Sequence, residues 1–573
     1  MAGSTKPSKA LKIDPNSDAT VRDLINNAPD FRDDRRYKLL DKREAYYRGT
    51  AYDDRPYEWD GTLRQGHRLF PEQFFNIQIK PESMPSVTKR RPPVQYNMAR
   101  AIIDRFVSLL FGEHRFPTVK VSIDTPSQEY FNKLLKNIKA RAAFMEAATL
   151  GGMSGSVIVM FKIINGRFQL ESFNTKFATP LWADYHAGLM KAFRFAYPFQ
   201  KDHLDKDTKK WKKGWFLYER VVTETQDIIF EPRQLKDDLS GLADSEKDKK
   251  PQVQEVYNHA FGFVPAVFIQ NLPRYDQIDG DTDSEGAYDL IDRVNELLSS
   301  IVGGMHGNLD PTVVIAIAAE EARAAGMIGA RGELKLGSQN NGIFVGKDGK
   351  ASYMEYGGEA AKVAVDLAKV FRDYVLEVTE CIIADPHRLS GNAQSAAAIE
   401  KLYSHMLAKC DKLRNQYGEN GLKRLLILML RAAEAVKNRG EKLWYPRIKD
   451  PKTEKVTELV PDFDLTEDDL ELSWGRYFEP MMADTFQAVE SANLASGGKA
   501  VARLDTLVHF LADYLGDDDP LRSVRELEQQ QQEDLNNQLK LAKAGAKPAA
   551  PATMKPGVSA KAKPATAPRS DND

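Results

Sequence analysis

Cysteine is nearly absent: 573 residues contain only Cys381 and Cys410. Both fall in helical patterns, on either side of the segment ADPHRLSGN. If those helices run antiparallel from the segment, Cys410 lies about 17 residues along the second one, ~26 Å at helical rise. That is too far for a disulfide and predicts a reducing compartment. An apolar signal core is also lacking, since the start MAGSTKPSKALKIDP is polar. The richest apolar runs, SVIVMFKII and LLILMLRAAEAV, are shorter than the ~20 residues of a membrane span. Together these absences predict a soluble protein made inside the cell. An excess of either charge is missing too: the net charge is −2 although 28% of residues are charged. Such a balance argues against a protein that coats nucleic acid non-specifically, while leaving room for local patches.

Catalytic signatures are equally scarce. LGGMSGSVIV (150–159) has the glycines of a phosphate loop in the wrong order: helix, glycines, strand. It reads instead as a helix C-cap entering a buried strand. GIFVGKD (342–348) and SGGKAV (496–501) lack the spacing or the Ser/Thr of a Walker loop. No Cys/His cluster has zinc spacing, and no G-x-S-x-G is present. DTDSEGAYDLID (281–292) puts Asp281, Asp283, Glu285, Gly286 and Asp292 at positions 1, 3, 5, 6 and 12 of a calcium loop. Glu at position 5 and the short Asp at position 12 argue for an acidic helix start instead. The acidic run PDFDLTEDDLE (461–471) could supply paired carboxylates, but reads as a solvated edge or helix start.

What is present is organisation. At ~150 residues per domain the length predicts roughly three to four units. A polar stretch to about residue 35 looks like a loose arm. Helices are predicted at RYKLLDKREAYYRG (36–49), VQYNMARAIIDRFVSLLFGE (94–113) and SQEYFNKLLKNIKARAAFMEAATLGG (127–152). SVIVMFKII and GRFQLESF form a hairpin turning at Asn165-Gly166. Further strand patterns, KAFRFAYPF, KGWFLYERVVTE, QDIIFEP and QEVYNHAFGFVPAVFIQN, complete a mixed α+β region ending near residue 275.

The pattern then changes. EGAYDLIDRVNELLSSIV (285–302) is an amphipathic helix ending at Gly303-Gly304, and a glycine-rich insert with strands in PTVVIAIA and GIFVG follows. GEAAKVAVDLAKVFRDYVLEVTECII (358–383) is a second helix. Its apolar stripe is Val363, Leu367, Val370, Phe371, Tyr374, Val378 and Ile382; its charged stripe is Lys362, Asp366, Lys369, Asp373, Glu377 and Glu380. After ADPHRLSGN a long helix runs from about Ala393 to Lys437, with a kink expected near Gly418 and Gly421. WYPRIKDPKTEKVTELVPDF reads as a hairpin. More helices follow, and from Gly545 the tail is Ala/Pro/Lys-rich and expected to be disordered. Two helices with single apolar stripes cannot bury themselves alone, which argues for a ring of identical copies with the charged stripe facing an aqueous centre.

In this order, five segments carry a resemblance: YNMARAIIDRFVSLLFGE, GGMSGSVIVMFKI, DTDSEGAYDLIDRVNELLSSI, YGGEAAKVAVDLAKVFRDYVLEV and SGNAQSAAAIEKLYSHMLAKCDKLRNQYGENGLKRLL. From about residue 36 to 540 the chain resembles a portal protein of tailed bacteriophages, of the Gp6-like portal family. The resemblance implies an α+β portal-type fold: a mixed α/β wing, a two-helix stem, a small α/β clip, a long wing helix and a helical crown, assembled as a ring of about twelve subunits. Its boundaries would be a flexible arm (1–35), wing (36–284), stem helix (285–307), clip (308–357), stem helix (358–384), tunnel loop (385–392), wing (393–484), crown (485–544) and tail (545–573). Pro386, His387, Arg388, Leu389, Ser390, Gly391 and Asn392 would point into a DNA channel. There Arg388 can meet a phosphate, and Gly391 and Asn392 let the loop move. Such contacts grip DNA without reading its sequence.

The resemblance further implies a virion protein at the capsid's portal vertex, assembled in the host bacterial cytoplasm. It would be no enzyme and use no cofactor or metal, with no membrane partner. Its partners would be double-stranded DNA, the large terminase subunit, a head-to-tail adaptor, and the major capsid and scaffold proteins. The rival readings are another phage head or adaptor protein, and a metal-dependent nucleic-acid enzyme using carboxylates between Asp462 and Glu471.

Overall fold

A computed structural model describes residues 34–52, 95–112, 115–121, 125–184, 188–204, 211–247, 249–309, 313–316, 342–345, 358–383, 400–449 and 456–478, with positions 21, 24, 25, 31, 527, 530, 532 and 536. The chain divides into two units, Met1–Glu479 and Pro480–Asp573. In the second, the described residues Leu527, Gln530, Gln532 and Asn536 are helical and exposed. The rest of the expected crown and the tail lie outside the described residues.

The first unit is layered. One layer is helical: α1 (Arg35–Arg48), α2 (Met98–Phe111), α3 (Thr125–Asn137), α4 (Ala140–Ser154), α5 (Tyr288–Leu309), α6 (Gly358–Val378), α7 (Ser404–Arg414), a π-helical segment (Asn415–Lys423) and α8 (Arg424–Asn438). Next comes a three-stranded antiparallel sheet of β3 (Arg167–Asn174), β2 (Ser156–Ile164) and β9 (Ala266–Gln270), with β2 central. A five-stranded antiparallel sheet follows, ordered β4 (Ala178–Asp184), β5 (Leu189–Leu204), β6 (Trp211–Thr223), β7 (Gln226–Gln234) and β8 (Val253–Asn258). β2 explains the stacking. Val157, Val159, Phe161 and Ile163 join the core shared with the helices, while Ile158 and Met160 join Phe173, Phe193 and Val222 between the sheets. A strand buried on both faces needs an unbroken apolar run, which VIVMF (157–161) supplies.

The α4-to-β2 passage is the expected C-cap. Gly155 has φ 94°, and a Cβ there would sit 2.0 Å from the Gly280 carbonyl oxygen. The β2–β3 turn is likewise as read, with φ 52° at Asn165 and 73° at Gly166, the signs a type I′ turn requires. The hairpin expected after residue 440 is β12 (Arg447–Lys449) with β13 (Val456–Glu458).

Several expectations need correction. The arm is not loose at its described positions. Val21 and Ile25 are buried with Val221, Ile228 and Phe230, and Phe31 with Ala196, Leu217, Leu235 and Leu242. A few spaced apolar residues in a polar stretch suffice to cover the outer face of the five-stranded sheet. The single helix expected over 127–152 breaks at Lys139, whose φ is 52°. The helix expected to stop at Gly303-Gly304 continues to Leu309, within the segment assigned to the clip. The kink expected near Gly418 and Gly421 is a stretch of π-helix. A two-stranded sheet of β1 (Thr118–Val121) with β14 (Leu470–Ser473) has no counterpart in the sequence reading.

Candidate functional site

α5 and α6 pack against each other. Gly286, just before α5, lies against Val378 at the end of α6, so the two run antiparallel. With 22 and 21 residues they are about 33 and 31 Å long. Beyond α5 and before α6, β10 (Val313–Ala316) and β11 (Gly342–Val345) pair in parallel.

At about 100° per residue, α6 presents three faces. Ala368, Val375 and Thr379, which follows the helix, are buried. About 100° round lie Val363, Leu367, Val370, Tyr374 and Val378, apolar yet 42–66% exposed. The third face carries Lys362, Asp366, Lys369, Asp373 and Glu377, all exposed. Lys369 pairs with Asp366 at 3.1 Å, leaving Lys362, Asp373 and Glu377 as the outlying charges. The structure therefore brings five of the six predicted stripe residues onto one helix face. Glu380 differs. It follows the helix, has φ 55°, and its amide donates to the Glu377 carbonyl, while that of Cys381 donates to Leu376. It is the left-handed residue of a Schellman cap, a place usually taken by glycine. The loop Pro386, His387, Arg388, Leu389, Ser390, Gly391 and Asn392 lies outside the described residues.

The ends of the helix pair meet α7 at one side chain that the sequence reading missed. Lys409 is 6% exposed. Its Nζ donates to the Asp283 carbonyl at 3.0 Å and the Thr379 carbonyl at 2.9 Å, and stands 4.6 Å from the Phe106 ring centroid. Burial pushes the Asp283 carboxyl up, against the pull of Lys409, and its Oδ1 accepts from Asn271 at 2.8 Å. Tyr417 in the π-helical segment donates to Asn271 at 2.9 Å, and burial drives its phenol well up. A signal existed: Lys409 lies in helical step with buried Met406, Cys410 and Leu413.

The calcium-loop residues diverge. Asp281 and Glu285 pair with Arg43 at 3.7 and 3.0 Å, and Asp283 faces Asn271. Asp292 accepts from Tyr46 and Tyr52, and burial pushes its carboxyl up despite both bonds. Among the described residues, no group of three or more His, Cys, Asp or Glu is placed to hold a metal. The acidic run is a surface ledge: Thr466 and Asp469 form a capping box for a 3-10 turn (Glu467–Asp469) leading into β14. Cys381 and Cys410 are free, buried in one core, and pushed by burial to about 11 and about 12. The separation expected between them fails as an argument, because Ile382 contacts Met406, one turn before Cys410. Among the described residues no helix is long and apolar enough to cross a membrane.

The first unit is thus a layered α+β body bearing an antiparallel helix pair, with an apolar face and a charged face both exposed. The family described as phage portal protein, SPP1 Gp6-like, matches residues 31–449. The chain belongs to that family, and is a phage portal protein and a virion component. No curated protein matches the chain.

Proposed function

We propose that about twelve copies form a ring at one capsid vertex, and that double-stranded DNA is packaged and released through its centre. In this reading residues 285–307 and 358–384 are the stem. The 308–357 clip docks the large terminase subunit and later the head-to-tail adaptor. Residues 36–284 and 393–484 form the wing, which meets capsid and scaffold, 385–392 form the tunnel loop, and 485–544 form the crown. The reading rests above all on α6. An apolar stripe left uncovered in a single chain is what a neighbouring copy would bury, and the charged stripe beside it would then face the channel.

Native mass spectrometry with negative-stain imaging tests it. Wild-type protein gives rings with a central hole. Val370→Asp with Tyr374→Asp keeps the circular-dichroism spectrum and gives monomers. Rings from the double variant, or wild-type monomers even with scaffold and capsid protein present, sink the reading.

A further inference from the structure

The α6 stripe alone is a thin basis for a ring. Five half-exposed apolar side chains bury little further surface per contact. That does little against what association costs. A second contact is needed, and the wing carries two unabsorbed surfaces that fit each other.

The first is the outer end of the β5–β6 ladder, formed by its last four rungs. The rungs Lys201–Gly214, Asp202–Lys213, His203–Lys212 and Leu204–Trp211 lie past the last residues paired with β4 and β7. They form a two-stranded ribbon reaching ~13 Å beyond the sheet. Such a ribbon is marginal in water unless covered. It carries exposed Lys201 and Lys213 against Asp202, and Trp211, which is 73% exposed. The second surface is the ledge before β14. Asp462, Asp464, Glu467, Asp468 and Glu471 are exposed there, beside Val460 at 46% exposure. Among the described residues, Lys120 lies opposite Glu471 and Lys437 stands over the Phe463 ring. Ribbon and ledge belong to different layers, the three-stranded sheet lying between their cores.

A closed ring is built from two different, complementary faces on each subunit. Resting on the ring reading, we propose that the outer β5–β6 ribbon of one copy, with Lys201, Trp211 and Lys213, docks on the 460–471 ledge of the next. Trp211 covers Val460 there, and the lysines meet the carboxylates. The occupant is a second copy of this chain, because the chain itself supplies the surface of matching charge and apolar character.

Trp211→Cys combined with Val460→Cys tests the contact, using a short bismaleimide and a denaturing gel. The native thiols are buried and make the wild type a blank. A ladder of covalent oligomers, absent from each single variant, supports the contact. Rings in the microscope with no ladder, or cross-linking confined to single chains, overturn the contact and leave the ring standing. Loss of rings in the wild type overturns both. Independently, Lys201→Glu with Lys213→Glu lowers ring yield at low salt by about tenfold. Adding Asp464→Lys and Asp468→Lys restores it, and no recovery in that combined variant refutes the pairing.

Discussion

At the scale of single residues, Lys409 joins three elements through one ammonium group. Two of its protons satisfy the carbonyls of Asp283 and Thr379, and the third side of the group faces the Phe106 ring. Thr379 lies at the C-terminal end of α6, where a cation also complements the helix dipole. Replacing the lysine by methionine keeps the apolar stem. It strips two buried carbonyls of their partner and leaves the Asp283 carboxylate without its nearest opposite charge. Breaking a buried arrangement of this kind costs about 3–5 kcal/mol. Lys409→Met should therefore lower the urea midpoint strongly at an unchanged slope. The sign for Asp283 is set by its raised pKa. The native state holds this proton more tightly than the unfolded chain, so the site is most comfortable below the ordinary carboxylate range and loses stability as pH rises. Asp283→Asn in the Lys409→Met background should recover part of the loss at neutral pH. A Lys409→Met midpoint within error of wild type would show that water, not lysine, satisfies those carbonyls.

At the scale of elements, what was legible followed local rules. The Asn165-Gly166 turn needs positive φ twice, and Gly155 must let β2 pass beneath a carbonyl; both requirements are written in residue type. The charged stripe of α6 was legible because 100° spacing is a property of any helix. The rest depended on tertiary contact. Lys139 breaks a helix that its own sequence would continue, and β1 finds β14 across some 350 residues. The buried seam of α6 uses Ala368, Val375 and Thr379, which hydropathy cannot separate from the more apolar face left exposed. The π-helical segment is a further case. It brings Tyr417 to Asn271 while Gly418 and Gly421 let Trp474 and Ile269 close in. A Cβ at Gly418 would lie 2.7 Å from Cζ2 of the Trp474 indole and 3.3 Å from Cδ1 of Leu472. Alanine's better helix propensity is worth about 1 kcal/mol. Overpacking against a rigid ring costs roughly 1–3 kcal/mol, so Gly418→Ala should be net destabilising by denaturant titration. An increase in stability would mean the indole yields.

At the scale of the whole molecule, if the charged face of α6 lines the proposed channel, its charge sets how that channel treats DNA. Lys362 and Lys369 against Asp366, Asp373 and Glu377 give two positive and three negative charges, a net of −1 per copy. Around a ring the total is negative but diffuse. Part of it is already neutralised by the Lys369–Asp366 pair. A lining of this kind repels phosphate weakly, so it neither holds the duplex nor bars it. Salt would screen the effect over about 8–10 Å. Asp373→Lys with Glu377→Lys turns the outlying charges positive and adds four units per copy. Each new cation near a phosphate adds a salt-dependent contact. The double variant should assemble normally, take up DNA slowly in a packaging assay, and release it faster as salt is raised. Normal packaging kinetics with intact rings would place this face away from the duplex. Failed assembly would place it against a neighbouring subunit and leave the apolar face of α6, half-exposed side chains worth about 5 kcal/mol, without that cover, an arrangement water disfavours.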